Sequence, residues 1–266
     1  MKRRAARLLH AIGRRTIAAI DAVGYCAGLL AEAVSFTFYG WRRGQPVRAT
    51  AIVEQMRQVG FDAIPIVALL SMTVGLMLAI QFIATLDEFG AQAQVVLAVA
   101  KSVTREFGAL ITGILVAGRS GSAFAARIGS MSVSQEVDAL GVMGIDPVRY
   151  LVAPALIAML VMMPVLTIVS DFAAILGSAL YSAPMLDMNL STYFDMTLNY
   201  LKPRDLFEGL GKSLVFAVLI TLVGVSTGFS VTGGAEGVGR ATTRAVVLSI
   251  TAIVIADMIF SFFLRR

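Results

Sequence analysis

Two stretches of the chain, residues 63–86 and 213–235, contain no charged side chain over 24 and 23 residues respectively. A helix needs about 20 mainly apolar residues to cross the hydrocarbon core of a bilayer. Three further apolar stretches are long enough and carry between one and three charges each: 91–117, 150–186 and 245–264. The pattern predicts an all-α integral membrane protein with five transmembrane helices, because helices satisfy their own backbone hydrogen bonds in lipid.

The composition excludes most catalytic chemistry. Hydrophobic residues make up 58% of the chain and charged residues 15%, against about 45–50% and about 25% in soluble domains. One histidine, His10, and one cysteine, Cys26, are too few for disulfide frameworks or Cys/His metal sites. Residues 209–213 resemble the end of a phosphate-binding loop, but Leu206 stands where the first glycine is required. We therefore expect no enzymatic activity, metal or cofactor in this chain.

The N-terminal segment is predicted to lie along the membrane surface rather than to cross it. Residues 16–41 are mainly apolar but contain Asp21 and Glu32, and arginines flank them on both sides. The aromatic residues near its end, including Trp41, are of the types that favour the membrane–water boundary. We interpret residues 1–45 as an interfacial amphipathic helix. Residues 46–266 then form the five-helix core of a single membrane domain spanning 1–266.

The distribution of basic residues predicts the orientation of the chain. Of the 22 lysine and arginine residues, 15 fall in segments on one side of the five predicted spans. Cytoplasmic segments of membrane proteins collect these residues. The N-terminus is therefore predicted to be cytoplasmic and the C-terminus to be on the outer side, although Arg265 and Arg266 oppose this. Nucleic-acid binding is not expected, because no basic stripe carries interleaved aromatic residues.

Small residues recur every four positions through and beyond the second predicted span. The series begins at Ala109 and continues through five further positions: Gly113, Ala117, Gly121, Ala125 and Gly129. Small residues at this spacing let a neighbouring helix approach closely. The stripe predicts tight packing inside the bundle. A second interpretation is that the stripe transmits motion to the cytoplasmic surface.

Charged residues inside the predicted spans allow two interpretations each. Lys101, Arg105 and Glu106 either extend beyond the bilayer into water or form a polar patch suited to an anionic head group. Asp171 and Asp257 are each the only charge in their span. They are interpreted as buried carboxylates with satisfied hydrogen bonds or as residues at helix ends. The alternative is a proton relay, as in an autonomous channel or a proton-coupled carrier.

The segment between the second and third spans is predicted to contain a short helix. Ser132 and Gln135 have the spacing of a capping box, in which two side chains satisfy free backbone amides at a helix start. Residues 133–140 would form the helix and Gly141 would end it. Such a helix between two spans offers a docking surface for a partner, whereas a simple connector would need neither its length nor its pattern.

Several motifs between residues 105 and 244 resemble those of the MlaE/YrbE permease family. The matching segments are 105–110 (R-E-F-G-A-L), 117–123 (A-G-R-S-G-S-A), 128–131 (I-G-S-M), 134–140 (S-Q-E-V-D-A-L), 146–147 (D-P) and 239–244 (G-R-A-T-T-R). Members of this family are membrane subunits of ABC transporters that move phospholipids and related lipids across the envelope of Gram-negative bacteria and plastids. The sequence departs from the family at Ala109, where proline is usual, and at Gln135 and Glu136, where the family has Glu-Gln.

The resemblance implies a homodimer in the bacterial inner membrane, with N-terminus cytoplasmic and C-terminus periplasmic. Its implied partners are a cytoplasmic ABC ATPase that binds ATP and Mg, a periplasmic MCE-domain protein and a STAS-domain protein. A coupling helix at about residues 132–141 would contact the ATPase. The residues implied in coupling are Arg127, Ser134, Gln135, Glu136, Asp138 and Leu140. The residues implied in phospholipid binding are Leu78, Gln81, Arg105 and Glu106.

Overall fold

The computed structural model describes residues 2–39 and 47–264, and in these two ranges the chain is helical with no strand. Trp41 and the C-terminal Arg265 and Arg266 lie outside the described residues. The α-helices are α1 (Lys2–Tyr39), α2 (Ala49–Val59), α3 (Ile64–Asp87), α4 (Val95–Ser102), α5 (Gly108–Val116), α6 (Ser122–Val133), α7 (Glu136–Val142), α8 (Ala153–Met185), α9 (Leu190–Tyr200), α10 (Pro203–Phe229) and α11 (Gly234–Leu264). Short 3₁₀ turns precede α3 and α4, and three π turns interrupt the helical runs at Val103–Phe107, Ala117–Gly121 and Val148–Val152.

Six helical segments of the described chain are long and apolar enough to cross a membrane. Five of them overlap the five predicted spans, which confirms the all-α membrane fold: 49–87, 95–133, 148–185, 203–229 and 234–263. The sixth, residues 20–37 of α1, has a mean hydropathy of 1.2, the lowest of the six. Its length would allow it to cross, so the interfacial position of α1 stays a prediction.

The long helix α8 lies at the centre of the bundle and packs most extensively against α3. Pro164 and Pro184 lie inside α8 without ending it. Glycines allow the two backbones to approach: a methyl group at Gly75 would lie 1.9 Å from the Ala174 carbonyl oxygen. The buried hydroxyl groups of Ser71 and Ser170 also join the helices, with 2.7 Å between their Oγ atoms. The α3–α8 pair therefore depends on small side chains at these points of closest approach.

Helices α4, α5 and α6 form one continuous helical rod from Val95 to Val133, and the six small residues at four-residue spacing are all buried along it. A regular α-helix has 3.6 residues per turn, so positions four apart drift around it by about 40° at each step. The π turn Ala117–Gly121 lies in the middle of the series and is locally wider, which reduces this drift. Burial of all six positions agrees with the packing interpretation, and transmission of motion along the stripe stays a prediction.

Two helices close over this small-residue stripe. A methyl group at Gly121 would lie 3.1 Å from a side-chain carbon of Ile220 in α10. On α11 the buried Ser249 and Ile253 lie against the same stripe. In return, Gly224 of α10 approaches the carbonyl oxygen of Gly121, from which a methyl group at Gly224 would lie 2.8 Å. The rod, α10 and α11 thus form a second closely packed unit beside the α3–α8 pair.

The short helices α7 and α9 mark the two ends of the bundle. Helix α7 follows the rod at one end, here called the α7 end, and α9 connects α8 to α10 at the other, the α9 end. The sequence analysis did not predict α9. Its Tyr193 is buried and its hydroxyl lies 2.8 Å from Ser178 Oγ. Burial raises the pKa of this phenol, so it stays protonated and available as a hydrogen-bond donor.

Candidate functional site

A cluster of paired charges lies at the α9 end, where the π turn Val103–Phe107 presents Arg105 to the start of α10. Arg105 Nη2 lies 2.8 Å from Glu208 Oε2, and Arg105 Nε lies 3.2 Å from Asp205 Oδ1. Asp205 also accepts a hydrogen bond from the backbone N–H of Lys202 at 3.1 Å, which anchors the first turn of α10. Arg105 is therefore held by two carboxylates that are fixed by the helix behind them.

The adjacent residue Glu106 belongs to a second set of contacts in the same cluster. Its carboxylate is bonded to the ammonium group of Lys212, which also lies 2.9 Å from Asp257 Oδ1. Ser261 Oγ donates to Glu106 Oε1 at 3.0 Å. The Lys212 side chain is only 2% exposed. The buried ammonium group of Lys212, on α10, thus links Glu106 of the rod to Asp257 of α11.

A close approach between α10 and the π turn makes these contacts possible. A methyl group at Gly209 would lie 2.2 Å from the Thr104 carbonyl oxygen, so only glycine allows this spacing. Gly209, the first residue of the segment that resembles a phosphate-binding loop, therefore has a packing role. In a regular α-helix adjacent side chains diverge by about 100°, and here Arg105 and Glu106 reach different partners on α10 and α11.

The cluster encloses a cavity of about 180 Å³, which Lys101 also lines. Ligand pockets for drug-sized molecules measure about 300–1,000 Å³, so within one chain this cavity has room for a polar head group but not for a whole lipid. Arg105 and Glu106 are both ion-paired against α10, and the position of this part of the rod relative to the bilayer stays a prediction. Their arrangement supports the alternative hypothesis of a polar patch.

The two isolated aspartates have different environments. Asp257 Oδ1 lies 2.9 Å from Lys212 Nζ but has no hydrogen-bond partner within the described residues, so the expectation of a satisfied buried carboxylate is met only by this ion pair. For Asp171 that expectation is wrong: the residue is 5% exposed, and neither carboxylate oxygen has a hydrogen-bond partner within the described residues. Asp171 lies near the middle of α8 and packs directly against Gly108, where a methyl group would overlap its Oδ1. The absence of Cβ at Gly108 is what makes room for the carboxyl group.

The two other lipid-binding candidates lie apart from the charged cluster. Leu78 packs on the α3 side of the bundle against a core that includes Val95 and Ala174. Gln81 is exposed on α3. Neither residue lines the cavity beside Arg105. Within one chain, the structure therefore brings Arg105 and Glu106 together but leaves Leu78 and Gln81 on a separate surface.

At the α7 end the predicted capping box does not form. Helix α6 continues through Ser132 to Val133, and α7 begins only at Glu136. Gln135 has a φ of 60°, a left-handed conformation that turns the chain sharply between the two helices. The hydroxyl of Ser134 donates back to the Ser130 carbonyl oxygen at 3.0 Å. The sequence predicted the start of α7 too early, because the Ser134 hydroxyl caps the end of α6 instead.

Helix α7 nevertheless presents an exposed face, as predicted. Leu140 is 8% exposed and attaches the helix to the bundle. The side chains of Glu136 and Asp138 are exposed, and Val142, at the helix end, is 90% exposed. Ser134 and Gln135 are exposed as well. An acidic surface with an apolar tip is thus available at the α7 end.

Arg127 is not on this exposed face. It lies on α6 and separates two cavities, of about 550 and 310 Å³, between the rod and α2. Its neighbour across this space is the buried Gln55 of α2. At this position Arg127 forms part of a cavity wall. Its coupling role stays a prediction.

Sequence reasoning missed most partners in the charged cluster. These partners lie 100 or more residues beyond the residue that each one contacts: Asp205, Glu208, Lys212 and Ser261. One signal could have found Lys212: it immediately precedes an uncharged stretch of 23 residues. A lysine at that position lies beside or inside the membrane and usually has an acidic partner. Glu106 and Asp257 lie inside two other predicted spans and were therefore candidates for the acidic partner of Lys212.

The sequence is similar to known proteins over most of its length. The family model described as "Permease MlaE" matches residues 52–263. A probable ABC transporter permease protein of Rickettsia bellii is 35% identical over 254 residues, which are 96% of each chain. A probable ABC transporter permease protein of Synechocystis is 39% identical over 209 residues, 79% of this chain and 80% of the relative. The chloroplast protein TRIGALACTOSYLDIACYLGLYCEROL 1 of Arabidopsis thaliana is 37% identical over 211 residues, 79% of this chain and 60% of the relative.

Proposed function

Because the chain belongs to the MlaE permease family, we propose that it is the membrane subunit of an ABC transporter that moves phospholipids or related lipids between the inner and outer membranes. The observation that carries this proposal is the connection between two ends of one rod. The rod holds Arg105 and Glu106 in the charged cluster at the α9 end and leads directly into the exposed helix α7 at the other end. A substrate site and a surface for an energy-supplying partner are thus joined by one helical segment.

A lipid substrate is supported by the outward faces of α3 and α11. Large apolar side chains are exposed on both helices, among them Leu69 and Met77 on α3 and Met258 and Phe262 on α11. Contiguous exposed apolar surface fits lipid chains or a second copy of the chain. We propose a homodimer in which acyl chains lie against these faces and the head group reaches Arg105. The Arabidopsis relative is named after a glycolipid, which agrees with this substrate class.

The ATPase partner is supported by the chemistry of α7. The helix is anchored by Leu140 and exposes Glu136, Asp138 and Val142, a combination that fits a groove with an apolar floor and a basic rim. ATP and Mg would be bound by that partner, and its movement would be transmitted along the rod. In this proposal the protein lies in the bacterial inner membrane with the α7 end cytoplasmic. An MCE-domain protein covers the α9 end, and a STAS-domain protein binds the ATPase.

The coupling assignment is tested by reversing charge on α7. The variant Glu136→Lys combined with Asp138→Lys should insert and fold normally but abolish lipid-stimulated ATP hydrolysis in the reconstituted complex. The matched control is Glu236→Lys, which changes an exposed carboxylate at the same end of the bundle. Normal stimulated hydrolysis in the α7 variant would show that the ATPase does not bind there.

A second function, an autonomous proton-coupled carrier, is favoured by one observation: the carboxyl group of Asp171 is buried without a hydrogen-bond partner in the described chain. Such a carrier predicts pH-dependent flux in liposomes that contain this chain alone. The pairing of Asp257 with Lys212 removes the second group that a relay would use. Flux that appears only with ATP and the ATPase partner would exclude the carrier.

A further inference from the structure

A cavity of about 550 Å³ at the α7 end is lined by residues from α2, from α6 and from the segment leading into α8. It lies at the opposite end of the bundle from the charged cluster. Three arginines line it: Arg48, Arg127 and Arg149. Apolar side chains, including Met131 and Leu151, complete the wall. The cavity is therefore amphiphilic, with cationic and apolar surfaces facing the same space.

Arg127 is the central cation of this cavity, and its contacts are incomplete. With the Gln55 amide oriented so that its oxygen faces the guanidinium, that oxygen accepts from Nη1 at 2.5 Å and Nη2 at 3.0 Å. The Arg127 Nε is buried and has no hydrogen-bond partner among the described residues. Within the described residues, no carboxylate forms a salt bridge with Arg127. A neutral amide thus supports a largely desolvated positive charge.

Among the described residues that line the cavity, Glu54 is the one carboxylate near Arg48 and Arg127. Glu54 is already engaged: its Oε1 lies 2.9 Å from Arg57 Nη2 and accepts from Gln58 Nε2 at 2.7 Å. Removing a charge from water without a counter-charge is strongly unfavourable. An anion in the cavity would offset this cost at Arg127.

The chemistry of the wall identifies the class of anion. A guanidinium group binds phosphate oxygens through paired, parallel hydrogen bonds. Basic pockets between transmembrane helices bind the head groups of anionic lipids. We propose that this cavity binds the phosphate group of an anionic phospholipid, with Arg127 as its principal ligand and the lipid chains directed along the apolar wall. This inference rests on the proposed lipid function and adds a second head-group site at the α7 end.

The test measures binding of phosphatidylglycerol to the purified full-length chain by native mass spectrometry, with inorganic phosphate as a parallel probe. Loss of hydrogen bonds to a charged group corresponds to roughly ten- to hundredfold weaker binding, which is the effect expected for Arg127→Gln. Arg127→Lys should retain part of the affinity, because it keeps the charge but not the paired geometry. The matched control Arg240→Gln removes an exposed arginine at the same end and should bind lipid normally.

Each outcome decides the proposal. Equal lipid binding by the wild type and Arg127→Gln would overturn it. Phosphate binding that depends on Arg127 without any lipid preference would also overturn it and would assign the site to a free anion. If Arg127→Gln does not fold, unchanged affinity in Arg127→Lys and Gln55→Leu overturns it instead. The proposed function is measured separately, by ATP-dependent lipid transfer: transfer that persists with no Arg127-dependent binding refutes only this inference.

Discussion

The ammonium nitrogen of Lys212 lies 2.9 Å from Asp257 Oδ1 while it is also bonded to the carboxylate of Glu106. These three residues belong to three different helical segments, so one buried cation fixes their relative positions. The excess negative charge of the set is moderated by Ser261, which donates to Glu106 at 3.0 Å. Movement of the rod past α10 would have to break or exchange these contacts.

Replacement of Lys212 with Met should be strongly destabilising. It leaves the carboxylates of Glu106 and Asp257 close together without their cation. Breaking a buried ion pair by removing one partner costs about 3–5 kcal/mol. The measurement is the free energy of unfolding in detergent micelles. Adding Glu106→Gln and Asp257→Asn to Lys212→Met should restore much of the loss, and a triple variant as unstable as the single one would contradict this account.

A second prediction concerns the contact between α3 and α8. Gly75→Ala should prevent normal packing, because the new methyl group would lie 1.9 Å from the Ala174 carbonyl oxygen and 2.7 Å from its Cα. Backbone atoms on both sides cannot move aside without separating the helices. Thermal unfolding and size-exclusion profiles report the effect. The matched control is Gly211→Ala in α10, where no atom of another described element lies within 4 Å of the added methyl group.

The expected result for Gly211→Ala has the opposite sign. Alanine in a helix interior restricts the unfolded chain, which stabilises a protein by about 0.4–1 kcal/mol where the native conformation allows it. If Gly75→Ala and Gly211→Ala unfolded at the same temperature, the close α3–α8 contact would be refuted.

A third prediction compares the two aspartates of the spans. Asp171→Asn should leave stability unchanged or raise it, because the wild-type carboxyl has no hydrogen-bond partner in the described structure and desolvation disfavours its charge. Asp257→Asn should lower stability by about 1–3 kcal/mol, because it removes an ionic partner of the buried Lys212. Chemical unfolding of both variants gives the comparison. A large loss in Asp171→Asn alone would reveal a missed partner.

A fourth prediction tests where α7 begins. Gln135 has a φ of 60°, a conformation that costs a non-glycine residue about 1–2 kcal/mol. Gln135→Gly should therefore stabilise the protein by a few tenths to about 1 kcal/mol, because glycine relieves this strain but has more entropy to lose on folding. If Gln135 instead lay inside a helix, as the sequence predicted, the same change would destabilise by about 1 kcal/mol. The sign of the change in unfolding free energy decides between the two.

The difference between prediction and structure at α7 has a local cause. Ser132 and Ser134 are both able to cap a helix, and the sequence pattern alone favours the earlier one as the start of a new helix. In the structure Ser134 bonds backward to Ser130 and sideways to Glu136, 2.8 Å from its Oε1. The existence of the helix and its exposed acidic residues were predictable from composition and spacing. Its first residue depended on which hydrogen bond the serine makes.

The sequence by itself determined the membrane class, the five long apolar helices and the buried small-residue stripe through Gly113 and Gly121. These properties follow from the local pattern of side chains, because hydropathy and helical period are summed over neighbouring residues. Only the tertiary structure decided which charges meet: Arg105 with Glu208, Glu106 with Lys212, and Asp171 with none of the described residues. Such pairing depends on which helices lie side by side and how each is rotated. That information belongs to the packed bundle, since no single segment contains both partners.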